Sequence, residues 1–277
     1  MKKLITILLC LPMIGLGQSD IIYTVEKEKI ICSIKEISSS EVKFSYPKES
    51  LINIINKNLI EKIVFSSGRV QEFSSTNFNE IKDVNDWDKV MLTELESDVK
   101  GLYRIGDVSS KAKGTTALAN TTKVRERSIK KLKAEAAMMG ANIVFLLDMA
   151  STANKAGTKY SAGQQTSTVI SGVAYSNTIP KYDLVSNKLT GKELTVTETH
   201  TLHSGWADYK ILQEDTPITL SKIYKQNGFV YVNCELGDNL MVTKIYDDYL
   251  ILMWFEKRAK NQISFGKKIF NAKVSFK

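Results

Sequence analysis

The chain contains two histidines, His200 and His203, and any His-dependent chemistry must use one of them. His200-Thr201-Leu202-His203 sits in a Thr-rich alternating stretch that reads as a strand, where residues three apart point to opposite faces. A shared metal would therefore need a turn near Ser204-Gly205 to bring the two rings together, with Glu198, on the same face as His200, as a third ligand. The same residues support a second reading, a hydrolase using His200 or His203 with neighbouring carboxylates. Against both stands the plain reading of polar residues beside a turn. There is no G-x-S-x-G elbow, and Gly101-Leu102-Tyr103-Arg104-Ile105-Gly106 lacks the Lys and Ser/Thr that complete a phosphate-binding loop. No cofactor is expected.

Of three cysteines, Cys32 shares a strand face with Ile30 and Ile34, and Cys234 one with Val230 and Val232. Both read as core thiols, and an oxidising compartment would let them pair and staple the first segment to the last. Trp206 and Tyr209 lie close in sequence and offer a small aromatic platform. The sharpest electrostatic feature runs from Val108 to Lys133, with eight Lys/Arg against one acid, Glu126. Within it Arg127, Lys130, Lys131 and Lys133 form the polar face of a helix. They are candidates for an anionic partner, set against the reading of a merely solvated face.

The elements that must position these residues fall into three segments. Residues 18–80 alternate apolar and polar side chains (Ile30, Cys32 and Ile34; Val42, Phe44 and Tyr46) and predict a small antiparallel β domain, with a hairpin at Ser66-Ser67-Gly68. Residues 81–189 predict an α/β domain built on one main helix, Thr122 to Met139, capped by Thr121 or Thr122 and stopped by Gly140. Val124, Ser128, Ile129, Leu132, Ala136 and Met139 fall on its packed face. The run Ile143 to Leu147 reads as a strand buried on both faces, and residues 151–168, rich in Ser, Thr, Gly and Gln, as a loop or long hairpin excursion. Residues 190–277 predict a C-terminal antiparallel β domain, with hairpins at Gln226-Asn227-Gly228 and Asp247-Asp248. The fold class is α+β.

The run Leu132-Lys133-Ala134-Glu135-Ala136-Ala137-Met138-Met139-Gly140-Ala141-Asn142, between a short strand pair and an apolar strand, resembles the YbjQ-like and RcsF-like group of small α/β bacterial domains. The likeness covers about 60 residues. It implies a helix lying close on a sheet through its small residues. RcsF-like proteins are envelope-stress sensors with disulfides inside this domain. Cys32 and Cys234 lie outside it, so that feature does not transfer. The flanking β segments look like those of exported bacterial proteins of unknown function.

Residues 1–17 combine Lys2-Lys3, an apolar run from Leu4 to Leu16, and Gly15-Leu16-Gly17 ahead of Gln18, which is the pattern of a cleaved secretory signal. The run is too short to span a bilayer, and no transmembrane helix is expected in the mature chain. Cys10 follows Leu9, where a lipid-attachment site wants a small residue. The formal charge is +8 in an otherwise ordinary composition of 43% hydrophobic and 25% charged residues. Export takes the chain away from nucleic acid, which is not expected as a partner. These readings converge on an exported protein of a Gram-negative envelope, periplasmic, outer-membrane associated or secreted. The expected role is a non-enzymatic binding or structural module whose partner is an envelope protein or an anionic envelope component. The alternatives are the His200/His203 hydrolase or metal-dependent enzyme, and an apolar-ligand carrier.

Overall fold

The computed structural model describes residues 19–73, 78–114, 119–153, 165–203, 208–256 and 268–276. The chain divides into two compact units, Met1–Ser75 and Thr76–Lys277. Strands dominate, helices are few, and all strand pairs but one are antiparallel among the described residues, so α+β holds as the class. The expected signal at residues 1–17 lies outside the described residues. So do most of the 151–168 excursion and Trp206 with its turn.

The first unit is one six-stranded sheet. Its strands are β1 (Asp20–Thr24), β2 (Lys29–Ile37), β3 (Glu41–Ser45), β4 (Asn53–Asn56), β5 (Ile60–Val64) and β6 (Val70–Glu72), in the order β4-β3-β2-β1-β5-β6. Alternation does what the sequence promised: Ile22, Cys32, Val42, Phe44, Ile60 and Ile63 form one cluster, each at most 4% exposed. They come from one face of a single sheet, so the sheet curls round its own side chains. The register shift between Ile34 and Glu36 supplies a bend in β2.

The second unit opens with a 3-10 turn (Val84–Lys89), β7 (Met91–Thr93) and the single-turn helix α1 (Glu96–Val99). Then follow β8 (Tyr103–Lys113), the long helix α2 (Thr121–Met138), β9 (Ile143–Thr152) and β10 (Ser167–Ser176). The strands make a sheet ordered β7-β9-β10-β8, in which β7 runs parallel to β9. The long excursion is thus the connection of the β9–β10 hairpin. The apolar run at the start of β9 is buried only at Ile143 and Val144; Leu147 is 61% exposed, since β9 outruns its neighbour β7 there.

The α2 ends account for themselves atom by atom. Asn120, not Thr121 or Thr122, is the N-cap: its Oδ1 accepts from Thr122 N at 2.8 Å and Lys123 N at 3.3 Å. At the other end Gly140 takes φ +76°. Its N–H donates to Ala137 O at 2.9 Å, and the Ala141 N–H to Ala136 O at 3.0 Å, which is a Schellman motif. Met139 N donates to Glu135 O at 3.1 Å, leaving Met138 O, which accepts from the Asn271 side chain at 2.8 Å. The last four carbonyls of α2, from Glu135 to Met138, are therefore all satisfied.

That last bond crosses to a seven-stranded antiparallel sheet. After helix α3 (Tyr182–Leu189) come β11 (Leu194–His203), β12 (Lys210–Ile218), β13 (Leu220–Gln226), β14 (Phe229–Cys234), β15 (Gly237–Ile245), β16 (Tyr249–Phe255) and β17 (Lys268–Phe276). Their order is β12-β11-β17-β16-β15-β14-β13. The two expected hairpins are present: Asn227 and Gly228, at φ +51° and +88°, turn β13 into β14, and Asp247-Asp248 joins β15 to β16. Only Thr219 separates β12 from β13, which are opposite edges of the sheet. The sheet must wrap until those edges meet at that corner. Leu194, Val196, Val230, Val232, Leu240, Val242, Leu250, Leu252, Ala272 and Val274 make its filled interior, joined by Val185 and Leu189 of α3.

On its other face Leu202, Met241, Met253 and Ile269 join Leu132, Met138 and Met139 of α2, and Val108, Val144 and Ile170 of the four-stranded sheet, in one core. The C-terminal half of α2 is thus held between two sheets, and residues 81–189 and 190–277 share a single hydrophobic cluster.

Candidate functional site

The N-terminal half of α2 is different: it borders an open groove of about 760 Å³. Its apolar lining is Trp87 from the 3-10 turn with Val124 and Ile129 from the helix; its rim carries Lys123, Arg127, Lys130 and Lys133, with Asp88 and Glu126 as the acids. The spacing explains the arrangement. Positions 123, 127, 130 and 133 recur every three or four residues and so form one row along the helix, flanked by 124 and 129.

Three of these cations are held in place. Lys130 is ion-paired with Asp208, and its Nζ lies 5.2 Å from the Trp87 ring centroid and 6.0 Å from that of Tyr209. The Tyr209 hydroxyl donates to Asn85 Oδ1 at 3.2 Å, tying the start of β12 to the 3-10 turn; burial raises its phenol above the ordinary value, with Asp208 adding and Lys130 opposing. Lys133 Nζ donates to Asp88 O at 3.1 Å, and burial lowers its ammonium below the usual range, Asp88 opposing. Arg127 Nη2 donates to Lys113 O at 2.9 Å. Such a cation keeps donors to spare, because a guanidinium has five and an ammonium three.

Lys131 does not share the groove. It is 6% exposed, its Nζ donates to Lys111 O at 3.0 Å, and burial lowers its ammonium, with Glu135 opposing. The polar face expected from the helical wheel is narrower than drawn, because α2 is covered from both sides from about Lys131 onward. Ser128 on the packed side is fully buried; its hydroxyl lies 2.9 Å from that of Ser110 and 3.3 Å from Thr168 O. Tyr209 meets Lys130 and Asn85; Trp206, with which a platform was expected, lies outside the described residues.

The two histidines do not converge. Both lie in β11, three residues apart on a regular strand end. His200 is 0% exposed; its Nε2 lies 3.1 Å from Glu198 Oε2, and its Nδ1 has no hydrogen-bond partner. The expected His200–Glu198 neighbourhood is therefore real; among the described residues neither ring nitrogen contacts a nucleophile, and Lys273 Nζ, 4.0 Å from Glu198 Oε1, shares that carboxylate. Among the described residues no group of three or more His, Cys, Asp or Glu side chains is arranged to hold a metal.

Cys32 and Cys234 are free thiols, one in each unit. Burial pushes the Cys32 thiol up to about 11, helped by Asp20, and raises that of Cys234 as well.

One ionisable cluster escaped sequence reasoning. Lys244 points from β15 to the face shared with α2, and burial lowers its ammonium to about 8, Glu80 opposing. Tyr246 nearby has its phenol raised by burial and by Glu80, and its ring stacks on Tyr249 at 4.6 Å. The available signal was a lone lysine near the end of Met241-Val242-Thr243-Lys244-Ile245, the buried and mostly apolar end of β15.

No helix among the described residues is long and apolar enough to cross a membrane. Compared with family models, curated proteins and solved structures, the chain matches none.

Proposed function

We propose that this chain is an exported, non-enzymatic binding module of the cell envelope, and that the α2 groove holds an anionic amphiphile. The ligand class is an acyl chain carrying a phosphate or carboxylate head. The observation that carries the reading is the pairing of an apolar lining (Trp87, Val124, Ile129) with a cationic rim (Lys123, Arg127, Lys130, Lys133) along one 760 Å³ groove. A merely solvated helix face offers charge without an apolar trough; a core surface offers the trough without charge. An acyl chain gains about 0.8 kcal/mol for each CH₂ it buries there, and the rim supplies charge-assisted hydrogen bonds to its head.

The test is calorimetric titration with dodecyl phosphate, inorganic phosphate and dodecyl maltoside, together with flotation on phosphatidylglycerol and phosphatidylcholine vesicles. Binding of dodecyl phosphate alone among the soluble probes supports a free amphiphile, and flotation only on anionic vesicles assigns the head to a bilayer lipid. Lys123→Glu, an exposed substitution, and Trp87→Ala should each weaken the interaction about tenfold, by removing a charge contact and apolar area respectively. Equal binding of phosphate and dodecyl phosphate, or indifference to both substitutions, overturns the reading.

A further inference from the structure

Among the described residues nothing pairs with the outer edge of the first unit. β4 is the last strand of its sheet, and the approach to it exposes Leu51 (67%), Ile52 (56%) and Ile54 (59%). No Lys, Arg, Asp, Glu or Pro interrupts Leu51 to Asn56. Other edges are protected in the usual ways: β6 is three residues long and ends on Glu72, while β12 carries Glu214, Asp215 and Pro217. An edge strand with free backbone groups and exposed aliphatic side chains is a template for another strand.

We infer that the edge segment Leu51–Ile55, the start of β4 and the two residues before it, pairs antiparallel with the same segment of a second copy of this chain, about a two-fold axis through Asn53. Two observations select a second copy as the occupant. First, Leu51-Ile52-Asn53-Ile54-Ile55 reads the same in both directions as apolar, apolar, Asn, apolar, apolar. The face assignment permits that register. Ile54 lies opposite Lys43 on the outer face, and Ile55 opposite Val42 on the core face. Centring on Asn53, which lies opposite Phe44, sets Ile52 against Ile54 of the copy and Leu51 against Ile55; once pairing extends the strand alternation through Leu51 and Ile52, directly opposed residues share a face, as antiparallel pairing requires. A shift by one residue would set outer-face against core-face residues.

In the register centred on Asn53 every contact would occur twice, as a two-fold dimer requires. Second, residues 19–75 carry eight Lys/Arg and eight Asp/Glu, so this unit neither repels its copy nor favours a charged partner. Five residues and three side chains per copy fall short of the ~800 Å² per partner of a stable complex, so the dimer is weak, with a dissociation constant on the order of 10–100 μM.

The experiment is sedimentation velocity of the full chain over a concentration series spanning that range, with mild oxidation of single-cysteine insertions alongside. The wild type should shift from one chain to two. Ile54→Lys and Ile52→Lys should raise the dissociation constant at least tenfold, while Ile31→Lys, equally exposed but on β2, leaves it unchanged. Asn53→Cys should cross-link to itself under oxidation, and Lys57→Cys and the wild type should not; Cys32 is too buried to contribute. Circular dichroism verifies that each variant is folded. A chain that stays monomeric throughout, a loss equal for Ile31→Lys and Ile54→Lys, or failure of Asn53→Cys to cross-link overturns the pairing. A monomer that instead takes up an extended apolar peptide overturns it too, and assigns the edge to a different partner. None of these outcomes bears on the α2 groove, which lies in the other unit.

Discussion

Gly140 offers the sharpest test of how α2 is locked between its two sheets. It stops the helix at φ +76°, and a Cβ added there would lie 3.0 Å from Thr243 Cβ and 3.1 Å from Thr243 O of β15. Gly140→Ala therefore imposes two costs. The left-handed backbone costs an L-residue about 1–2 kcal/mol. The contact with Thr243, tighter than ordinary packing and partly against backbone, adds about 1–2 kcal/mol more. Gly191 separates the two terms. Its φ is +71°, but nothing lies within 4 Å of the Cβ it would gain, so Gly191→Ala carries the backbone term alone. For a unit of about 200 residues, each kcal/mol moves Tm by about 2–4 °C. The expected losses are about 2–8 °C for Gly191→Ala and about 4–16 °C for Gly140→Ala, read by urea and thermal denaturation followed by circular dichroism. If the two variants unfold within about 0.5 kcal/mol of each other, the close seating of the α2 terminus on β15 is wrong, and with it the account of one core shared by both sheets.

Asn271, 1% exposed, donates to Met138 O at 2.8 Å and Leu252 O at 3.3 Å. Asn271→Ala should cost about 2–3 kcal/mol in denaturant unfolding, because it strands a buried helix-end carbonyl, and a loss below ~0.5 kcal/mol would show that water replaces the bond. Lys244 should make stability depend on alkaline pH. Its folded-state value is about 8 against an ordinary 10.5, so between those pH values the unfolded chain binds more protons and stability rises with pH. Lys244→Met should remove that rise relative to wild type and stabilise the protein at pH 7 by about 1–3 kcal/mol; an unchanged pH profile would show the ammonium to be solvated.

Much of the fold was legible where a local signal had no competitor. Asn227-Gly228 is compatible with few conformations besides a tight hairpin, and it forms one. Gly140 follows a helical run and takes the left-handed conformation that other residues resist. Less was legible where several local solutions compete. Asn120, Thr121 and Thr122 can each cap a helix, and the chain uses Asn120. Helix α3 leaves little local signal, because Val185 and Leu189 are its whole buried face. Strand β12 leaves little as well, because an exposed edge containing Pro217 lacks alternation.

The site follows the same division. Arg127, Lys130 and Lys133 could be placed on one helix face from spacing alone, because 3.6 residues per turn permits nothing else once the helix exists. Which lysines remain at the surface depended on what covers the helix: Lys131 is buried and Lys123 is not, and that follows from a sheet on each side of the second half of α2. The partners of the groove are equally non-local, since Trp87 and Asp208 reach Lys130 from 43 and 78 residues away.

His200 shows the reason most plainly. Strand periodicity predicts that Leu194, Val196, His200 and Leu202 share one face. The register shift at Thr197 breaks the count, so Leu194 and Val196 enter the interior of the wrapped sheet while Leu202 faces α2, with His200 beside Asn271. The residues themselves determined element types, turn positions, the basic helix face and the apolar palindrome around Asn53, because these depend on neighbours within a few positions. The tertiary structure alone decided which faces are buried, which charges are paired and where a groove opens, because those depend on surfaces brought together from distant parts of the chain.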